Sequence, residues 1–339
     1  MKGSFINFGS AVGGAVLAVI LLAALLAPIV GPHEPDARFE GILNAPPTAV
    51  HLAGSDGRLR LPFIYPWIRV NQLEQRYEPD RTAEISLSWF AGGHLVQSAD
   101  EARAPLLLLG SDSFGRDVFS RLLFGARISL GLSLAAALLA IGLGAMLGGI
   151  AGYVGGATDT IVMRTTEFVI VLPAMYVALA LRAVMPLVLT SRDVFLLMLG
   201  IFAVLGAPGI ARGVRAIVRS QRDLDYAAAV SSLGATHARL LIRHLLPSAQ
   251  GFLAVQLTLL LPAFVVAEAT LSFVGLGFPD PVPSLGTMLQ EASNLRALAD
   301  FPWLLSPAAL MFFVVFGVNL LLQRRARGIG SAGIRSFPS

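Results

Sequence analysis

The sequence predicts an all-α, polytopic membrane protein with six transmembrane helices plus an extracytoplasmic insertion. Three observations carry that prediction. Of 339 residues, 55% are hydrophobic and 14% charged, with a mean hydropathy of +0.72, whereas soluble domains carry about 25% charged residues. Six apolar stretches are long enough to cross a bilayer. The charges are also gathered, with 22 of the 46 charged side chains falling in residues 31–127. That leaves a mostly lipid-compatible chain with one polar segment set into it.

A spanning helix needs about 20 apolar residues to cross about 30 Å of hydrocarbon. Residues 11–30, 128–152, 167–189, 194–211, 252–275 and 303–323 meet that need. The first is read as a retained helix rather than a signal peptide. Its apolar run exceeds the signal h-region of about 7–15 residues, and Pro28 follows the best cleavage point at Ala27. The second contains Gly144, Gly148 and Gly152 at helical spacing, which predicts close packing of a neighbouring helix. Pro173 and Pro262 are expected to interrupt the third and fifth spans. Arg182 falls near the outer third of the third span, placed to snorkel to the interface.

The polar segment predicts a small folded unit of short strands and turns over 31–105. It is rich in proline (Pro32, Pro35, Pro46, Pro47, Pro62, Pro66, Pro79) and contains alternating patches such as ISLSWF at 85–90. Its aromatics Phe63, Tyr65, Trp67, Trp89 and Phe90 are expected to form a mini-core. The chain thus divides into a first helix (1–30), the insertion (31–105), a transmembrane core (106–323) and a basic tail (324–339).

Orientation follows from arginines in short loops. Residues 212–243 carry Arg212, Arg215, Arg219, Arg222, Arg239 and Arg243, and the tail carries Arg324, Arg325, Arg327 and Arg335. With six spans these regions share one side, the cytoplasmic one, together with both termini. The long loop 31–127 then lies outside.

Two absences bound the chemistry. Without cysteine there are no disulfides, thiolate metal sites or cysteine nucleophiles. Lys2 is the only lysine, so the phosphate-binding G-x-x-x-x-G-K-[ST] loop is missing. Any ATP this chain's work consumes is hydrolysed by another subunit. The net charge of +4 does not indicate nucleic acid, because the arginines flank apolar spans rather than alternating with aromatics. His33, His51, His94, His237 and His244 show no metal-ligand spacing.

The loop between the fourth and fifth spans, 212–250, holds DYAAAVSSLGATHARLLIRHLLPSA from Asp225 to Ala249. Ala227 to Leu233 favour helix, and Gly234 can take the positive φ that ends one. Ala238 to Leu246 resume a helix that Pro247 ends, with Leu240, Leu241, Leu245 and Leu246 available for burial. Such a helix–turn–helix between two spans can pass a push between membrane and cytoplasm. A basic amphipathic loop lying on lipid would look similar.

This segment resembles the EAA loop of ABC importer permeases, E-A-A-x3-G-x9-I-x-L-P. Gly234, Leu246 and Pro247 match in register and Ala229 matches the first alanine. Ala228 stands in the glutamate's place, Val230 in the second alanine's and His244 in the isoleucine's. A second segment, LLGSDSFGRDVFSRLLFGARISL from Leu108 to Leu130, is similar to the stretch before the second span of dipeptide, oligopeptide and nickel permeases, with Gly115, Arg116, Asp117, Arg121, Gly125, Ala126 and Arg127 at its fixed positions. Similarity continues through GYVGGATDTIVMR (152–164), Glu167 with Pro173, and AEATLSFVGLGFPDPVPSLGTML (267–289). The tail departs from the family's acidic ending, and the insertion exceeds the outer loop of typical members.

The resemblance implies a type I ABC importer permease in a bacterial cytoplasmic (inner) membrane. It implies pairing with a second, homologous permease, two cytoplasmic ATPase subunits or domains, and an extracytoplasmic solute-binding protein. ATP and Mg would be bound by the partner ATPases, with no cofactor in this chain. The coupling loop would carry Asp225, Ala229, Gly234, His244, Leu246 and Pro247. Gly115, Arg116, Asp117, Arg121 and Arg127 would belong to an amphipathic helix on the outer membrane surface that shapes the entrance, with Asp117 and Arg121 paired at i,i+4. Glu268, an ionisable group in the fifth span, is a candidate for the pathway or for a structural role at the permease–permease interface. Glu167 is expected as an acid at the N-terminus of the third span.

Two other classes predict different features. An ion-gradient-driven secondary transporter calls for internal repeats and several midplane acids; the sequence offers Glu268 and no clear repeat. An intramembrane protease needs histidine within the membrane, and no histidine lies in any predicted span.

Overall fold

The computed structural model describes residues 2–53, 59–72, 74–173, 176–177, 180–181, 184, 189–293 and 299–332, with side chains of 2–8, 10 and 322–332 excluded. Arg182, Arg335 and most of the second half of the third predicted span therefore lie outside the described residues. The helices are α1 (Lys2–Leu25), α2 (Ala27–Val30), α3 (Val118–Val154), α4 (Gly156–Val171), α5 (Ser191–Arg222), α6 (Asp225–Ser232), α7 (His237–Leu240), α8 (Gln250–Phe273), α9 (Leu285–Glu291) and α10 (Ser306–Ala332). Among the described residues four helical runs are long and apolar enough to cross a membrane: Val118–Val154, Ser191–Arg222, His237–Phe273 and Pro302–Leu321. A shorter apolar stretch, Ala11–Leu25, lies within α1.

Packing divides the chain into two compact units. One comprises residues 1–11, 130–271 and 318–339, the other 12–129 and 272–317. In the first, the glycine series of α3 rests on α5. A Cβ on Gly144 would lie 2.8 Å from the Ala207 carbonyl, one on Gly152 would lie 2.7 Å from that of Arg215, and one on Gly148 would meet the Ala211 backbone. The helices touch backbone to backbone, which only hydrogen side chains permit. Phe202 of α5 stacks on Phe264 of α8 at 5.2 Å, and Ala140 of α3, Ile210 and Val214 of α5 and Val265 of α8 are buried.

Several expectations are corrected here. The second helix starts at Val118 rather than at 128. α8 runs unbroken through Pro262, and α5 through Pro208; proline in a long apolar helix removes one backbone bond without ending it. Glu167 is not an N-terminal acid, because α4 begins at Gly156 and ends at Val171. It sits near the C-terminal end of α4, exposed and paired with Arg164 at 3.0 Å. The first-turn acid of that helix is Asp159.

In the second unit the segment 31–105 folds as expected into short strands: β1 (His51–Ala53), β2 (Leu59–Ile64), β3 (Trp67–Asn71), β4 (Arg76–Pro79), β5 (Ile85–Trp89) and β6 (Val96–Ser98). They form an antiparallel sheet of order β1-β2-β5-β6 and a β3-β4 hairpin. One small core joins Ile64, Ile85, Ala104 and Leu106. Another joins Ile42, Ala45, Tyr77 and Leu107, with Phe39 and Trp67 against them. Tyr77 donates to the Leu43 carbonyl at 2.7 Å, and burial pushes its phenol above the ordinary value. Phe63 is buried, but Trp89 and Phe90 are 55% and 77% exposed and do not join the mini-core. Trp89 closes β5 and Phe90 has a positive φ of 55°, so the turn carries both rings outward.

Candidate functional site

Two clusters gather the singled-out residues, one in each unit. In the second unit the segment Gly110–Arg121 is a folded knot rather than a surface helix. Residues 111 and 117 pair as an isolated bridge, and helix begins only at Val118. Gly110 and Gly115 have φ of 75° and 74°, where a side chain is strained. A Cβ on Gly115 would lie 2.5 Å from the Phe39 carbonyl, and one on Gly110 would lie 2.6 Å from that of Ala45. Ser111 accepts from the Ala45 N–H at 2.7 Å and donates to the Ile42 carbonyl. Trp303 donates its indole N–H to the Ser111 carbonyl at 3.0 Å.

Each carboxylate in the knot has a defined task. Asp112 Oδ1 accepts from the backbone of Phe114 and Arg116 at 2.8 and 3.0 Å, closing the turn. Its Oδ2 accepts from Arg116 Nε at 2.7 Å. Asp117 caps α3, its Oδ1 accepting from Phe119 N and its Oδ2 from Ser120 N, both at 3.1 Å. The expected Asp117–Arg121 pair is therefore absent: the cap consumes the Asp117 carboxylate, and Arg121 reaches Glu291 instead at 2.9 Å. The i,i+4 pair that forms is Asp112–Arg116.

Arg116 also donates to Asp280 at 2.6 Å and to Glu291 at 2.8 Å, and its guanidinium lies 4.5 Å from the Phe114 ring centre. Arg38 reaches Asp280 at 3.4 Å. Three guanidiniums (Arg38, Arg116, Arg121) thus meet three carboxylates (Asp112, Asp280, Glu291), a balance that makes burying Arg116 and Arg121 tolerable. Burial pushes the Glu291 carboxyl above its ordinary value, while Arg121 and Arg116 pull it back. Burial also opposes the charge on Arg116, but Asp112 and Glu291 outweigh it and hold its pKa above the ordinary value. Arg127 stands apart from this cluster, exposed on α3. Asp280 and Glu291 went unidentified as partners in the sequence, because the ends of the pairs lie far apart along the chain.

The second cluster, in the first unit, is the loop after α5. Asp225 opens α6, Leu233 follows its last residue Ser232, and Gly234 comes next with φ 84°. The Thr236 hydroxyl then caps α7 by accepting from Arg239 N. The expected helix–turn–helix is present. Leu240 and Leu245 are buried and Leu241 and Leu246 half-buried. Pro247 does not end the path: it sits early in a tight turn over Leu246–Ala249 that leads straight into α8. A proline in the first turn lacks only an N–H that would be unpaired there.

Two contacts tie this loop to α3, through His237 and Leu246, and further bonds fasten α5 to α3 and α4. The Tyr153 hydroxyl lies 2.5 Å from His237 Nδ1, and Arg222 Nη1 donates to the Tyr153 carbonyl at 2.7 Å. Gly149 admits Leu246, whose Cδ2 would lie 3.0 Å from a Cβ there. Asp159 of α4 accepts two bonds from Arg215 and lies 3.6 Å from Arg219. The sequence marks Arg215 and Arg219 only as cytoplasmic-side arginines; their carboxylate partner in α4 was not legible. Ala229 lies on α6, its carbonyl accepting from Leu233 N, and His244 lies half-buried in the helical turn after α7. Glu268 is fully buried in α8. No group of side chains suited to a metal ion occurs among the described residues.

A family model described as binding-protein-dependent transport system inner membrane component matches residues 140–328. The chain belongs to this family. Its membership decides between the transporter classes, in favour of the permease of an ABC importer and against the ion-gradient-driven carrier. The matched span takes in the α3 glycine series, the loop between α5 and α8, and Glu268. The chain is also 37% identical over 213 residues to the oligopeptide transport system permease protein OppC of Bacillus subtilis, covering 62% of this chain and 67% of the relative. It is 27% identical over 316 residues to the dipeptide transport system permease protein DppC of Haemophilus influenzae, covering 93% and 88%. The glutathione transport system permease protein GsiD of Pectobacterium atrosepticum is 34% identical over 213 residues, covering 63% and 68%. As a family member with several long apolar helices, this permease is a multi-pass membrane protein.

Proposed function

We propose that this permease is the membrane-spanning half-channel of an ATP-driven importer for peptides or a similar small solute. The names of its relatives support the cargo, being oligopeptide, dipeptide and glutathione systems. It crosses the inner membrane six times, with the insertion outside and both termini in the cytoplasm. A homologous permease completes the channel, a solute-binding protein delivers cargo outside, and two ATPase subunits or domains bind ATP and Mg. The chain itself has no catalytic role and no cofactor.

The observation that carries the coupling role is the construction around Gly234. Two helices meet at a left-handed glycine, and Leu233 beside it is 88% exposed. A leucine left in water at the tip of an otherwise tied-down loop suits burial in a partner. Fully burying a leucine is worth about 1.5–3 kcal/mol. The loop, with Asp225, Ala229, Gly234, His244, Leu246 and Pro247, docks on the ATPases and passes their closure to α3 and α5 through its ties. ATP drives the change by favouring one of two arrangements. Gly115, Arg116, Asp117, Arg121 and Arg127 organise the outer entrance, and Glu268, buried in α8, supports the pathway wall from behind.

Orientation has a direct test, because the chain lacks cysteine and a single introduced thiol is unique. A membrane-impermeant maleimide applied outside intact spheroplasts labels Ala102→Cys and spares Ser231→Cys. Labelling of Ser231→Cys from outside would overturn the orientation.

A further inference from the structure

The insertion contains a cleft that the importer reading does not use. Its volume is about 370 Å³, and it is lined by Thr48, His51, Tyr65, Trp67, Pro79 and Arg81 among others. That lies at the small end of ligand sites, which run to about 300–1,000 Å³. The wall is built from packed rings. His51 lies 5.0 Å from Tyr65 and 5.7 Å from Phe63, and Phe63 meets Tyr65 edge-on at 5.4 Å. Phe63 is buried beneath them, so the aromatic surface is held in place before any ligand arrives. Thr48 sits buried in the same lining, its hydroxyl 3.4 Å from the indole nitrogen of Trp67.

Among the described lining residues the charge is of one sign. Arg81 is exposed and has no ion pair among the described residues, whereas its neighbours are engaged. Asp80 is bound by Thr82 and lies 3.9 Å from Arg103, and Glu84 pairs with Arg60 at 2.5 Å. An aromatic wall with one available guanidinium suits a ligand with one apolar ring and one carboxylate. Guanidinium binds carboxylate in a two-pronged geometry, and rings favour edge or offset contact with other rings.

We propose that this cleft binds a small aromatic carboxylate, with the ring against His51, Tyr65 and Trp67 and the carboxylate on Arg81. The importer reading supplies such a ligand as the C-terminal residue of a short peptide, but binding here does not depend on transport. The test is calorimetric titration of the purified full chain in lipid nanodiscs, without ATPases or binding protein. The probes are alanyl-phenylalanine and its C-terminal amide. The free acid binds with one site per chain, and amidation weakens binding about tenfold or more. Arg81→Gln weakens the free acid by a similar factor and leaves the amide unchanged, while Arg81→Lys retains part of the preference for the acid. Absence of binding, equal binding of acid and amide, or acid binding indifferent to Arg81→Gln would each overturn the proposal. Peptide bound elsewhere in the chain shows itself as the last of these.

Discussion

Arg116 and Glu291 stand 175 positions apart in the sequence and 2.8 Å apart in space. Arg121 shares the same carboxylate oxygen at 2.9 Å. The pair fastens the turn before α3 to the end of α9. Two of the acids that meet Arg116 differ in setting: the Glu291 side chain is 22% exposed and that of Asp280 is 58% exposed.

That difference gives the first prediction. Glu291→Gln leaves two buried guanidiniums short of a charge and destabilises the chain by about 3 kcal/mol, in the range for breaking a buried pair. Asp280→Asn, at a solvated site, costs under about 1 kcal/mol. Thermal unfolding of the two variants in detergent checks the contrast. Equal losses would mean that burial does not set the strength of these pairs.

A second prediction concerns α3. Gly148→Ala drives a methyl group into the Ala211 backbone, while a Cβ at Gly142 meets nothing within 4 Å. Overpacking costs about 1–3 kcal/mol, so Gly148→Ala lowers the unfolding temperature and Gly142→Ala does not. Matching melting curves for both would contradict the packing of α3 on α5.

The cap at Asp117 gives a third. Asp117→Ala removes acceptors for Phe119 and Ser120 and costs about 0.5–2 kcal/mol. Hydrogen exchange in the first turn of α3 accelerates in that variant. Unaltered protection there would count against the capping role.

Much of this was legible in the sequence, for physical reasons that differ by feature. The long helices show as apolar runs because lipid demands them. Gly234 shows because helix formers precede a residue that tolerates positive φ. Gly144, Gly148 and Gly152 show because close packing leaves a spacing. The cluster around Arg116 defeats a local reading: Asp117 and Arg121 are correctly spaced for a helix pair, but the helix starts between them, so Asp117 becomes its cap. Asp280 and Glu291 lie in segments whose pairing depends on tertiary folding, which no local pattern encodes. Trp89 continues the Ile85–Leu87 alternation of a buried strand and Phe90 follows it directly, yet the turn at Phe90 carries both rings out.

A fourth prediction reads the docking surface. Leu233→Ala removes most of an exposed apolar side chain whose full burial would be worth about 1.5–3 kcal/mol, so ATPase subunits bind about tenfold more weakly. The fold of the permease itself is unaffected. Unchanged affinity in a pull-down titration would place the contact elsewhere on the loop.

Tyr153→Phe supplies a fifth, since it removes the hydroxyl that meets His237. ATPase binding stays near that of the parent, while the uptake obtained per ATP hydrolysed falls. A proportional loss of binding and uptake would make Tyr153 a docking residue rather than a link.

The most direct measurement replaces Gly234 with isoleucine and reconstitutes the complete importer in proteoliposomes. A β-branched residue is strained at φ 84°, and the hinge between α6 and α7 is lost. The account predicts normal membrane insertion, no peptide uptake, and ATP hydrolysis that no longer responds to the loaded binding protein. Peptide uptake at the parental rate would contradict it.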